Sequence, residues 1–347
     1  MPHQTGRRKK MKKLSFARAE LTQPSASAVE RIPNEERATK KASKPRAKTS
    51  GFVDLTTPLP GEKLPGAAEV VEFHIPADIL TRYLKPLVMN RSLRNEFSGS
   101  IHVDGDHEVH GAEQIESNSC STEFVCMSRA SIIKGVGDSA PFFENVPYTY
   151  HTHPTYYYTE YGVKIAPPSG EDLGVFLRGC IEDQSCVHLV IAREGVYYVS
   201  PNPCFVHQAR RLKVRNERLY NIALVGAEIL GMQTHECRDS WTPERWVTWI
   251  RERFVCKDIL VHDYSSDIVD KFKMHCRSCD STNLIEGFER EFKHIVEQFS
   301  LQSCSFYANE SGMDLQNEFG EGRWLSANFV PWDKLEREGL HTKSMRF

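Results

Sequence analysis

The chain reads as an α/β domain followed by a mainly helical region. Three observations carry that reading. Between residues 67 and 202, short β-favouring runs alternate with segments of helical periodicity. From 203 to 347 the apolar residues fall mainly at helical spacing. Residues 1–66 begin with a basic, apolar-poor stretch, which describes a disordered tail.

That tail conceals a charge asymmetry. The formal net charge is −2. Residues 1–50 hold fourteen Lys and Arg against four Glu, so they carry +10 and the rest carries −12. The basic run starts at Gly6-Arg7-Arg8-Lys9-Lys10 and continues through Lys40, Lys41, Lys44 and Lys48. Too little apolar surface lies among these charges to offset the entropy of ordering them. Such a segment suits a nuclear-import receptor, a nucleic acid or another polyanion. It holds no Trp or Tyr and no aromatic besides Phe16, so base stacking is not suggested.

The 347 residues are 40% hydrophobic and 26% charged, ordinary for a globular protein. No run approaches the about 18 apolar residues of a membrane span. No secretory signal is apparent at the N-terminus. The ten cysteines lack dense regular spacing and read as reduced thiols. Together these features favour an intracellular protein of the cytoplasm, the nucleus or both, without a membrane partner.

Val70–Ile75 reads as a strand, and Pro76 opens a helix whose apolar positions are Ile79, Leu80, Tyr83, Leu84 and Leu87. A strand follows near 95–103, then a turn at Asp104-Gly105-Asp106. Two further strands fall near 107–115 and 122–127, and a short aromatic strand covers 146–153. Residues 155–168, with Tyr156, Tyr157, Tyr158, Tyr161 and Pro167-Pro168, read as a loop. Ser169 is an N-cap for a helix to about Gly179, with Glu171 and Asp172 in its acidic first turn. Val187–Ile191 and Val196–Val199 form a hairpin around Arg193-Glu194-Gly195.

Beyond 203, one long helical segment spans about 204–231. Thr242-Pro243-Glu244 starts a second helix carrying Trp246, Trp249 and Ile250. A third bears the stripe Leu284, Phe288, Phe292, Ile295, Val296 and Phe299, read as core. Residues 304–308 and 324–332 add a closing strand.

The chemistry concentrates at His151-Thr152-His153-Pro154. Two histidines one residue apart on an extended segment point to the same side. A carboxylate from the start of the next helix, Asp172, supplies a third ligand. Two His and one Asp, with the fourth position left to water, suit a catalytic zinc site. Ser169 and Asp172 also make an ordinary helix start, so capping alone accounts for their types. His102, His107, His110 and His188 read as surface or hydrogen-bonded side chains. Cys276-Arg277-Ser278-Cys279 after His275 has half of a zinc-finger spacing, with no second half beside it.

His-x-His-Pro followed by Pro-Ser-x-x-Asp resembles the JAMM motif of the MPN+ (JAB-domain) metalloproteases. That family places a glutamate on an earlier strand. Glu96-Phe97-Ser98-Gly99-Ser100-Ile101, fifty-five residues before His151, matches it. Glu108, Glu113 and Glu116 lack that glycine-containing strand. The resemblance covers residues 70–202 and implies a mixed β-sheet flanked by helices, of cytidine-deaminase-like architecture. It implies Zn²⁺ on His151, His153 and Asp172, Glu96 as general base and acid, and Ser169 as oxyanion donor. The implied reaction is hydrolysis of a peptide or isopeptide bond, with ubiquitin or a ubiquitin-like conjugate as protein substrate. Fourteen residues separate Pro154 from Ser169, more than is usual in that family. Two other classes remain in view: a non-catalytic metal-binding scaffold of the same fold, and a structural or nucleic-acid-associated protein acting through its tail.

Overall fold

Alternation of small polar and apolar residues along Phe97–His102 and Tyr148–Thr152 gives two central strands with unlike faces. The computed structural model describes residues 53–55, 57–62, 69–103, 111–117, 119, 125–141, 143, 146–183, 185–232, 241–253, 284–301 and 324–346. The basic stretch 1–50, the Asp104–Asp106 turn, the 304–308 strand and the Cys276–Cys279 pair lie outside these residues.

The architecture is mixed α/β. The strands are β1 (Glu69–Ile75), β2 (Phe97–His102), β3 (Glu113–Glu116), β4 (Val125–Cys126) and β5 (Arg129–Lys134). They continue as β6 (Tyr148–Thr152), β7 (Val187–Ile191), β8 (Gly195–Pro201), β9 (Leu325–Pro331) and β10 (Leu340–Arg346). Seven form one sheet in the order β3-β5-β2-β6-β7-β8-β9, and β10-β1-β4 form a second. Among the described residues, only β6–β7 in the large sheet and β1–β4 in the small one pair in parallel.

Helices flank the strands. A π-helical turn, Ile79–Leu84, runs into α1 (Lys85–Met89). The Lys85 N–H reaches back to the Leu80 carbonyl, and Pro86 at the next position has no N–H to continue the ladder. Next come α2 (Thr155–Tyr161), α3 (Gly170–Glu182), α4 (Pro203–Arg215) and α5 (Glu217–Met232). The last three are α6 (Pro243–Arg253), α7 (Leu284–Leu301) and α8 (Trp332–Glu338).

Each sheet face buries its own core. Val190, Tyr197 and Val199 pack with Leu173, Phe176 and Leu177 of α3 and with Val206, Ile222, Trp246 and Phe292 of later helices. The intervening residues Leu189, Ile191 and Val196 face the other way, against Ile79, Leu80, Leu84, Val88 and Leu335. The apolar stripe of α7 is core, as its spacing suggests: Phe288, Phe292, Ile295 and Val296 are all buried.

Five expectations need correction. Residues 155–161 are helix α2 and not loop; Gly162 closes it in the left-handed conformation at φ 66°. The 204–231 segment is two helices, broken where the Asn216 side chain caps Leu219. Strand β5 lies where none was expected, and β10 adds a second closing strand. Within the stretch expected as a tail, residues 53–55 and 57–62 are described. Leu55 is buried, the Val53 N–H donates to Gln298, and Glu62 bonds both His207 and Arg211 of α4. Cys126 is disulfide-bonded, unlike the expected reduced thiol; Cys180 and Cys186 are free and buried.

Candidate metal centre

Parallel strands need a long crossover, and α2 with α3 forms the one between β6 and β7. Sites in α/β sheets gather where such crossovers leave the carboxyl ends of strands. The two histidines stand at that end of β6. His151 pairs with Ser98 on one side and Val190 on the other. His153, just past the strand, is pinned by its N–H on the Ile191 carbonyl at 2.8 Å. Glu96, one residue before β2, exchanges backbone bonds with Gly135 and Gly137 of the loop after β5. The period of two puts Glu96 and Ser98 on the same side of β2.

Four expected residues meet here. The Nε2 atoms of His151 and His153 lie 3.0 Å apart. Asp172 Oδ2 is 3.6 Å from the first and 3.8 Å from the second. Glu96 Oε1 is 3.8 Å from His153 Nε2. A tetrahedron with ligand bonds of about 2.05 Å has edges of about 3.4 Å, so these separations suit a small cation. Ligand atoms of Glu96, His151 and His153 all lie within 4.8 Å of one another, and this trio could hold a metal ion. Ser169 joins through Asp172. Its N–H donates to Asp172 Oδ2 at 2.6 Å, and its Oγ accepts the Asp172 N–H at 3.1 Å, a reciprocal capping box.

The outer partners of the two histidines differ. The His153 Nδ1–H donates to the Ala166 carbonyl at 2.8 Å, which leaves Nε2 with its lone pair. His151 Nδ1 meets His188 Nε2 at 2.7 Å, and His188 Nδ1 meets Thr149 Oγ1 at 2.8 Å. Burial and the nearby His151 push the His188 imidazole down to about 3, so it is neutral.

The carboxyls split in the same way. Burial, with Asp172 and Asp138 nearby, raises Glu96 well above the usual carboxylate range. Burial would also raise Asp172, but His151, His153 and the Ser169 N–H outweigh it and hold the group well below that range. Asp138, itself raised by burial, hydrogen-bonds Glu96 and accepts from Tyr161 at 3.3 Å. Through that contact α2 borders the site. Glu113 and Glu116 lie exposed on the edge strand β3, away from it.

Asp138, His188 and Glu194 were not singled out as site residues. His188 carried a signal: a lone histidine inside the apolar run Val187–Ile191 is a buried polar group that must find a partner. Glu194, in the β7–β8 turn, accepts the Ala166 N–H at 2.8 Å and so holds the peptide that orients His153. Among the described residues no helix is long and apolar enough to cross a membrane. Comparison with family models, with curated proteins and with solved structures finds no match for this chain.

Proposed function

We propose that the chain is a zinc-dependent hydrolase of the JAMM type, cleaving a peptide or isopeptide bond. The protein substrate in this reading is ubiquitin or a ubiquitin-like conjugate, whose extended tail adds as a strand beside the site. One observation supports it above the others: Glu96, His151, His153 and Asp172 converge from three separate chain segments. Their order resembles that of the motif, with a longer interval between Pro154 and Ser169.

His151, His153 and Asp172 hold the metal. Asp172 is chosen over Glu96 because its oxygen lies within 4 Å of both Nε2 atoms. Bound zinc supplies Lewis acidity and brings the pKa of a water down to about 7. Glu96 takes a proton from the attacking water and returns it to the leaving nitrogen, a role suited to a buried carboxyl of raised basicity. Ser169 donates to the oxyanion. Its Oγ accepts from Asp172, and that leaves the hydroxyl hydrogen available. Such a donor stabilises the transition state by about 3 kcal/mol. A metal-binding scaffold without turnover is the second reading, favoured by the service of Ser169 as a cap.

Zinc content and cleavage of a panel of ubiquitin chains test both. The parent and Glu96→Gln are expected to bind one zinc, with cleavage by the parent alone. Zinc occupancy unchanged in His151→Ala would overturn the metal assignment. Zinc without cleavage of any tail substrate would favour the scaffold.

A further inference from the structure

We infer that His188 is a positioning residue for this centre: its Nε2 accepts a hydrogen bond from the His151 Nδ1–H while its own Nδ1–H donates to Thr149, which leaves the His151 Nε2 lone pair free for a cation. The inference rests on the metal reading above and adds a residue to it.

The geometry allows the relay two directions. A neutral imidazole has one donor and one acceptor nitrogen, so a 2.7 Å contact between two rings holds one proton. In the inward direction Thr149 donates to His188 Nδ1, and His188 Nε2–H donates to His151 Nδ1. His151 then carries Nε2–H and gives it to His153 Nε2, 3.0 Å away. Every contact is satisfied, but His151 has no lone pair to offer. In the outward direction His151 Nδ1–H donates to His188 Nε2, and His188 Nδ1–H donates to Thr149 Oγ1. Both Nε2 lone pairs now face each other at 3.0 Å, an arrangement that a cation between them makes favourable.

The two directions hold the same number of protons, so a cation selects between them without any change in charge on the rings. The two ligands are therefore prepared differently. A carbonyl only accepts, so Ala166 fixes His153 in its ligating tautomer. His188 both donates and accepts, so His151 is switchable. The apparatus is fixed in place. His188 is 6% exposed, lies on β7 in register with Thr149, stacks on His151 at 28° and has Phe176 against it at 5.8 Å. Hydrogen bonds from ligating histidines to outer partners set tautomer and orientation, and their loss weakens metal binding 10- to 100-fold.

Nitrogen-15 NMR of the full chain reads the tautomers directly. On adding one equivalent of Zn²⁺, His188 is expected to become protonated on Nδ1, with His151 protonated on Nδ1. His188 protonated on Nε2 in the zinc-bound protein would overturn the proposal. In parallel, Zn²⁺ affinity is measured by competition with a chelating indicator. His188→Phe is expected to bind about 10- to 100-fold more weakly, and His188→Gln, whose carbonyl accepts from His151, to recover most of that loss. His188→Phe binding as tightly as the parent overturns the positioning role while the metal reading stands. No zinc on the parent removes both. Where His188→Phe fails to fold, the NMR tautomers and Thr149→Val decide.

Discussion

Ala166 shows how a residue without functional chemistry holds a functional one. Its carbonyl fixes the His153 ring, and its N–H is held by Glu194. Glu194 also accepts the hydroxyls of Tyr158 and Tyr197, so one carboxylate gathers three donors. Glu194→Ala would strand those donors, each at about 1–3 kcal/mol if left without a partner. The expected outcome is a stability loss of about 3 kcal/mol, read by denaturant unfolding, together with weaker zinc binding. Glu194→Gln keeps an acceptor and is expected to fall between. The candidate ligands His151, His153 and Asp172 were legible because they are chemically distinctive and closely spaced in the sequence. Glu194 was not, because a glutamate in a hairpin turn is usually solvated, and only the fold brings Ala166 to it.

At the scale of elements, Gly99 decides how closely β2 and β5 approach. A Cβ there would lie 1.7 Å from the Ser131 carbonyl oxygen and 2.7 Å from the Tyr150 ring. That same oxygen accepts the Tyr150 hydroxyl at 2.8 Å, so Tyr150 crosses beneath the glycine. Gly99→Ala must displace Tyr150 and, with it, the strand that bears His151. A cost of about 1–3 kcal/mol, typical of overpacking, is expected in a thermal melt, with zinc affinity reduced. A second element-level anchor is Glu62, which bonds His207 and Arg211 of α4. Burial would raise its carboxyl, but the Leu59 N–H, Arg211 and His207 bring it below its ordinary 4.5. A depressed carboxyl stabilises the fold above its unfolded value and loses that contribution as pH falls through the folded value. The stability advantage of the parent over Glu62→Gln is therefore expected to be present at pH 6 and to fade below pH 4.5. Flat pH dependence of that difference would refute the linkage. Strong local signals made α3, α7 and the β7–β8 hairpin readable: a capping box, an aromatic stripe, a turn between two apolar runs. Helix α2 was obscured because Tyr and Thr favour strands. Its marker was Gly162, placed where a left-handed closing residue belongs. Strand β5 hid because Arg129-Ala130-Ser131 carries little β propensity, and pairing with β2 and β3 compensates.

At the scale of the molecule, the stretch after residue 202 is woven into the sheets. β9 covers the outer edge of β8, β10 pairs along all of β1, and α4 to α7 share a core with α3. A fragment limited to residues 67–202 would leave Tyr197 and Val199 without Trp246, Phe292 and the β9 strand. It is expected to aggregate or stay unfolded by circular dichroism, while residues 51–347 fold. A soluble, cooperatively melting 67–202 fragment would refute that dependence.

The position of β9 also sets a schedule for synthesis. Strand β8 is complete at Pro201, but its neighbour ends at Pro331. At about 5–20 residues per second, β8 waits about 6–26 s for that partner. During the wait a nearly assembled site sits beside an open, apolar strand edge, the kind of surface that recruits other chains. The candidate metal ligands thus emerge from the ribosome well before the sheet that protects them can close. Ordering of the His151 centre can precede completion of the fold, but the chain is most exposed to misassembly in that interval.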